Sequence, residues 1–360
     1  MNALKEKLIR HIRASGPMTV AQYMQAALSD PDHGYYAISD PLGRDFITAP
    51  EISQMFGELI GLALAQAWED SGAPEEFDLV ELGPGRGTLM SDALRAAERA
   101  RRAFVSAARV TLVETSPALR AVQTAKLAAY DVTWTSHLSD VPRGRPIFVI
   151  ANEFFDALPI RQFVRGARGW HEHMITLDGD DLAFALTPDS VPTSFIPEHL
   201  RDAPEGEYFE HCREGIETTR DLAARIASDG GLALLIDYCH EESGWGDTLQ
   251  AVQRHQFVDP LAEPGLADLT AHVDFGALAE VATEAGARVL GPTTQGAFLE
   301  ALGIRLRTAK LAHSNPSKAG EMDEALFRLT DPDQMGTLFK VMGIASVGIA
   351  PLPGLPARAE

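Results

Sequence analysis

Apolar runs and polar breaks along this chain follow the rhythm of an α/β protein, strand, then helix, then strand. Phe77, Leu79, Val80 and Leu82 form a strand-like run that stops abruptly at three glycines, Gly83, Gly85 and Gly87. A helical pattern rich in Ala and Arg follows, from Thr88 to about Ala103. The spacing predicts a second strand over 110–114, a helix opened by Ser116-Pro117 with Pro in its first turn, and a short third strand over 132–134. Ile147 to Ala151 is wholly apolar, as a central parallel strand covered on both faces should be. Residues 231–238 read as another buried strand, and Thr270 or Asp274 could cap a helix over 275–285. The last two strands are expected over 286–291 and 339–343.

That rhythm fails in three places. Residues 3–14 and 19–28 read as two short helices divided by Gly16-Pro17, and an amphipathic helix capped by Thr48 or Ser53 runs to about Asp70. The polar and aromatic loop between them is positioned to fold over a ligand as a lid. Residues 160–208 alternate in short runs separated by Gly and Asp turns, the pattern of an antiparallel β insertion. Residues 240–270 read as a polar loop with aromatics. The expected organisation is therefore an N-terminal helical and lid region over 1–71 and a core over 72–350. The core carries insertions at about 160–208 and 240–270, and a Pro-rich mobile tail over 351–360 follows it.

Composition narrows the partners. The net charge is −20, from 51 acidic and 31 basic residues among 360, and such a surface repels phosphate backbones. Nucleic acid is not an expected partner, whereas a basic protein or a cationic substrate suits the charge. Only two cysteines occur, Cys212 and Cys239, too far apart for a zinc pattern. His171 and His173 alternate on one strand without a third ligand at suitable spacing, so no metal is expected. With no apolar run long enough to insert in a membrane and no signal-peptide core, a cytoplasmic protein is the expectation.

The chemistry concentrates at the carboxyl ends of the strands. Glycines at 83, 85 and 87 permit a sharp turn and let a ligand approach the backbone closely. The dinucleotide fingerprint requires a glycine where Thr88 stands. Glu81 lies two places before the first glycine, which is similar to the first motif of S-adenosylmethionine (SAM)-dependent methyltransferases. Glu114 ends the second strand, where a carboxylate accepts hydrogen bonds from ribose hydroxyls. The loop at His137-Leu138 would pass near an adenine ring. Asn152, Glu153 and Asp156 follow the central strand, and carboxylates there call for a cationic guest unless they cap the next turn.

Five stretches in order carry a wider resemblance: Thr48-Ala-Pro-Glu-Ile-Ser, Glu81-Leu-Gly-Pro-Gly-Arg-Gly, Val113-Glu-Thr-Ser-Pro, Asn152-Glu-Phe-Phe-Asp-Ala-Leu-Pro and Asp268-Leu-Thr-Ala-His-Val-Asp-Phe. Together they resemble the MidA-type SAM-dependent methyltransferases, over about residues 15–345. The resemblance implies a class I, Rossmann-like methyltransferase fold with a seven-stranded, mostly parallel sheet. It also implies SAM as cofactor and, for mitochondrial members, methylation of an arginine on a respiratory complex I subunit. Cofactor contacts are then expected from Thr48, Glu51, Gly83, Pro84, Gly85, Gly87, Glu114, Leu138 and Asn152. Arg44-Asp45-Phe46 stands where the family has Gly-Asp-Phe, so the lid turn is expected to differ.

Protein arginine methyltransferases carry two glutamates after the fourth strand. Glu153 matches the first, Gln162 stands at the second, and Asp156 is the expected substitute. Two alternatives remain at this level: methylation of a small molecule, and a SAM-binding assembly factor that does not depend on catalysis.

Overall fold

A computed structural model describes residues 2–38 and 48–358 of the chain. The segment 39–47, which holds Arg44-Asp45-Phe46 and the first part of the expected lid, lies outside the described residues. The chain divides into two units, each assembled from separated stretches: 1–46, 156–217 and 242–273 in one, and 47–155, 218–241 and 274–360 in the other.

The second unit holds the main sheet. The strands of that sheet and the helices that bear on the site are, in chain order, α1 (Ala49–Ile52), α2 (Gln54–Asp70), β1 (Phe77–Leu82), α3 (Thr88–Ala100), β2 (Ala108–Val113), α4 (Pro117–Lys126), β3 (Val132–Thr135), β4 (Ile147–Asn152), β5 (Gly231–His240), α5 (Phe275–Glu284), β6 (Arg288–Thr294) and β7 (Phe339–Ala345), and four further α-helices lie between β6 and β7. Across the sheet the strands run β6-β7-β5-β4-β1-β2-β3. Strands β5, β4, β1, β2 and β3 are parallel neighbours, while β7 is antiparallel to both β5 and β6.

Every residue of β1 and β4 is buried, which is why both read as largely apolar runs. Of the two acids in β1, Asp78 is held by Arg225 at 2.7 Å and Arg145 at 3.1 Å, so its charge is paired inside. Helix α2 lies against α3 at a distance only glycine allows. A Cβ on Gly61 would sit 2.5 Å from the Ala93 Cα. In register, Leu82 of β1 pairs with Ala151 of β4 and Val113 of β2, and Ile236 of β5 pairs with Asn152. These pairings bring the polar strand ends of β1, β2 and β4 to one edge.

The tail, expected to be mobile, is docked instead. Leu352 and Leu355 are buried, the Gly291 N–H donates to the Pro356 carbonyl at 2.7 Å, and the Arg358 N–H donates to Val289 at 3.1 Å. Its prolines suggested mobility, but the two leucines between them have an apolar surface to fill.

The other unit gathers segments that look unrelated in the sequence. Strands Arg161–Gly166, Gly169–Asp178, Asp181–Leu186 and Tyr208–His211 form an antiparallel sheet that also takes in Met18–Thr19. Tyr208–His211 is followed by a helix that starts at Arg213. The stretch expected to be a polar loop contributes a small antiparallel sheet of Gln250–Gln253, Gln256–Val258 and Asp268–Thr270. The helices Ala3–Ser15 and Val20–Ser29 bury Leu8, Ile12, Tyr23 and Met24 in one cluster with Ile175, Leu182 and Leu269. Thr19 caps the second helix in a reciprocal box with Gln22.

Candidate functional site

The glycine turn takes the geometry its sequence requires. Gly83, Gly85 and Gly87 have φ of 60°, 51° and 74°, a region that favours glycine. The Gly87 N–H donates to the Pro84 carbonyl at 2.7 Å, and Gly87 itself is the N-cap of α3. A Cβ on Gly83 would stand 2.9 Å from the Phe154 ring, so the bare backbone here faces the segment that follows β4. Glu81 is buried within β1, where desolvation pushes its carboxyl up to about 8 against the opposing Met90 N–H.

Glu114 lies just beyond β2 and is also buried. Its Oε1 accepts the Ser116 N–H at 2.7 Å and its Oε2 accepts the Gln123 amide at 3.1 Å. Burial raises its carboxyl above the ordinary range, while the Ser116, Gln123 and Thr115 donors and Arg120 oppose the shift. Leu138 is half-buried in the short 3-10 turn Leu138–Asp140 that follows β3.

At the end of β4 the chain bends sharply. Glu153 has φ of 51°, a conformation that costs a non-glycine residue energy and that clusters at functional sites. Its N–H donates to the Ile236 carbonyl at 2.9 Å. Its Oε1 accepts the Ala49 N–H at 3.2 Å and the Asn152 side-chain amide at 3.1 Å. That bond directs the Asn152 Oδ1 elsewhere, and this buried acceptor has no hydrogen-bond partner among the described residues. Phe155 is fixed by its N–H, which donates to Asp237.

Residues 48–52 approach the glycine turn from α1. The Thr48 carbonyl accepts the N–H groups of Glu51 and Ile52, and the Thr48 side chain forms no cap bond. Ser53, not Thr48, caps the long helix α2. Glu51 accepts the Thr88 hydroxyl at the start of α3, and Thr88 in turn accepts from Lys126. Thr48, Glu51, the glycine turn, Glu114, Leu138, Asn152 and Glu153 thus all fall in one unit.

Asp156 is assigned to the other unit, where it is buried and its carbonyl accepts the Ala271 N–H at 3.0 Å. Nearby, the Tyr36 hydroxyl donates to Asp268 at 3.2 Å, and burial together with Asp268 and Asp156 raises that phenol well above its ordinary value. Gln162 is not open to a substrate. Its amide nitrogen donates to Glu210 and Asp247, both at 2.8 Å, and its oxygen lies 2.9 Å from His173 Nδ1. His171 Nδ1 lies 2.7 Å from the Thr187 carbonyl, so both histidines have hydrogen-bonding roles.

Two contributors escaped the sequence reading. Gln123 carries no motif, and its only sign is a polar residue one turn after Leu119 on the inner face of α4. Phe154 covers Gly83, yet an aromatic pair after a strand reads as ordinary packing.

A loop of left-handed glycines, a buried carboxylate after β2 and an orphaned acceptor on the last residue of β4 fit an adenosyl cofactor with a polar tail. Residues 59–293 match a family described as "putative S-adenosyl-L-methionine-dependent methyltransferase". The chain belongs to that family. The protein arginine methyltransferase NDUFAF7 of Danio rerio mitochondria is 38% identical over 95% of this chain and 88% of its own length. Its human counterpart is 35% identical over 94% of this chain and 83% of its own length. A Burkholderia thailandensis structure with S-adenosyl-homocysteine bound superposes with a TM-score of 0.83 at 29% identity, covering 99% of this chain and 96% of that one.

The chain is therefore a SAM-dependent methyltransferase of class I fold, and SAM is its cofactor. The cytoplasmic expectation is corrected: the curated relatives of fish, frog, fly and mammals are named as mitochondrial proteins. Among the described residues no helix is long and apolar enough to cross a membrane.

Proposed function

We propose that this chain transfers a methyl group from SAM to an arginine side chain of a protein, with Glu153 holding the guanidinium. The curated relatives are named protein arginine methyltransferases, which supports arginine over a small-molecule acceptor. By the family resemblance the acceptor is a subunit of respiratory complex I.

The observation that carries this reading is Glu153 itself: a non-glycine residue in a left-handed conformation, at the carboxyl end of β4, with its carboxylate fixed by Ala49 and Asn152. A guanidinium is a poor nucleophile because its charge is delocalised over three nitrogens. A fixed carboxylate draws that charge toward the nitrogens it contacts and leaves another better able to attack. The bound cofactor supplies an electrophilic methyl on a sulfonium. Glycines 83, 85 and 87 and Pro84 would carry its amino-acid end, Glu114 its ribose, Leu138 its adenine and Asn152 its polar tail. Thr48 and Glu51 would close on it from α1. The protein's main contribution is then alignment, since in-line displacement depends on holding both reactants in register.

Glu153→Gln keeps the shape and the hydrogen bonds from Ala49 but removes the charge. Methyl transfer to the protein acceptor should fall roughly a hundredfold, the effect of losing about 3 kcal/mol from the transition state. S-adenosyl-homocysteine affinity by calorimetry should stay within about threefold. If binding collapses along with transfer, Glu153 is a cofactor or structural residue. Transfer at the native rate would exclude it from the acceptor site. Mass spectrometry of arginine methylation with and without the protein identifies the acceptor.

A further inference from the structure

Gln123 on α4 has a role that no sequence motif assigns. It is fully buried, at 0% exposure, and both ends of its amide are engaged. Its Nε2 donates to the Gly85 carbonyl at 2.7 Å and to Glu114 Oε2 at 3.1 Å. Its Oε1 accepts the Trp134 indole N–H at 2.8 Å. An indole nitrogen can only donate, so it fixes which end of the amide faces which partner. One side chain thereby ties the turn after β1 and the carboxylate after β2 to an indole on β3.

We propose that Gln123 is a positioning residue for the cofactor, setting the glycine turn and the Glu114 carboxylate at the separation and orientation that the adenosyl group requires. This rests on the reading of Glu114 as the ribose acceptor. Ser116 holds one Glu114 oxygen and Gln123 the other, so the carboxylate has its plane set before any ligand arrives. The Gly85 carbonyl is likewise held in a turn whose glycines have several accessible conformations. Without Gln123, part of the binding free energy would go into ordering these two groups. A leucine would serve packing alone on this face of α4, where Leu119 is the apolar neighbour one turn before. A polar side chain is worth burying here because it meets three partners at once.

The test is a double-mutant cycle on S-adenosyl-homocysteine affinity, measured by calorimetry on the full chain. Gln123→Met keeps the length and removes the amide. It should weaken binding about tenfold, as when a buried hydrogen-bonded group loses its partner. In a Glu114→Ala background the same change should weaken binding less than about threefold, because its main client is gone. Equal losses in both backgrounds would mean that Gln123 merely holds the fold, overturning the proposal. Loss from Glu114→Ala with none from Gln123→Met overturns this inference while leaving Glu114 as ribose acceptor. Loss from Gln123→Met with none from Glu114→Ala overturns both. If Gln123→Met does not fold, Trp134→Phe removes only the indole donor. It should weaken binding about threefold in the native background and not in Glu114→Ala, and equal losses there overturn the proposal in the same way.

Discussion

The Asp237 carboxylate, near the end of β5, accepts the backbone N–H of Phe155 at 3.1 Å, two residues beyond Glu153. Its other oxygen accepts the Tyr238 N–H at 3.0 Å. A buried acid on one strand thus fixes the backbone that leaves the neighbouring strand, and with it the proposed acceptor-holding residue.

Asp237→Ala should therefore cost about 1–3 kcal/mol of stability, since the buried Phe155 N–H loses its acceptor. Methyl transfer should fall further than S-adenosyl-homocysteine affinity does. Urea unfolding and calorimetry on the same preparation check both. A native unfolding midpoint would show that this bond does not hold the turn.

Gly83→Ala brings a methyl to 2.9 Å from the Phe154 ring and places a side chain at φ of 60°. The backbone term is about 1 kcal/mol, and the ring must shift besides. Because Phe154 follows Glu153 directly, both cofactor affinity and transfer should drop, affinity by about tenfold. Unchanged calorimetry in a folded Gly83→Ala protein would remove this glycine from the cofactor cradle.

Glu81 gives the chain a pH signature. Burial holds its carboxyl up to about 8, against 4.5 for the free group. Between those values the unfolded chain releases the proton while the folded one keeps it, so stability falls as pH rises. Glu81→Gln mimics the neutral form without that cost. Its stability advantage over the native protein should grow by about 3 kcal/mol from about pH 5.5 to pH 8. A difference independent of pH, in thermal unfolding without ligand, would show that Glu81 is charged in the folded protein.

The legible parts of the sequence were those with short-range causes. Burial on both faces of β1 and β4 leaves largely apolar runs, and a positive φ at Gly83 leaves no practical alternative to glycine. Ser116 and Asp274 were readable as caps because each accepts an N–H three residues along the chain. What could not be read depends on partners far away in sequence. Tyr208–His211 is a strand because Arg161–Gly166 offers it an edge, and nothing within its four residues indicates that. Asp156 sits three residues after Glu153, yet its surroundings are Tyr36 and Asp268, contributed by distant segments of its own unit. Gln123 looks like any polar helix position until Gly85 and Trp134 arrive from other elements.

The docked tail has a consequence for handling the protein. Strand β6 is the last of its sheet, and the N–H of Gly291 and the carbonyl of Val289 would otherwise present unpaired groups along its outer side. The chain's own final residues occupy them, with Leu290 and Ala357 bridged as in a narrow extra strand. A chain cut before Leu352 would expose a template on which another molecule can add its own strand. Loss of the last few residues should thus show first as association at high concentration, before any loss of methyl transfer.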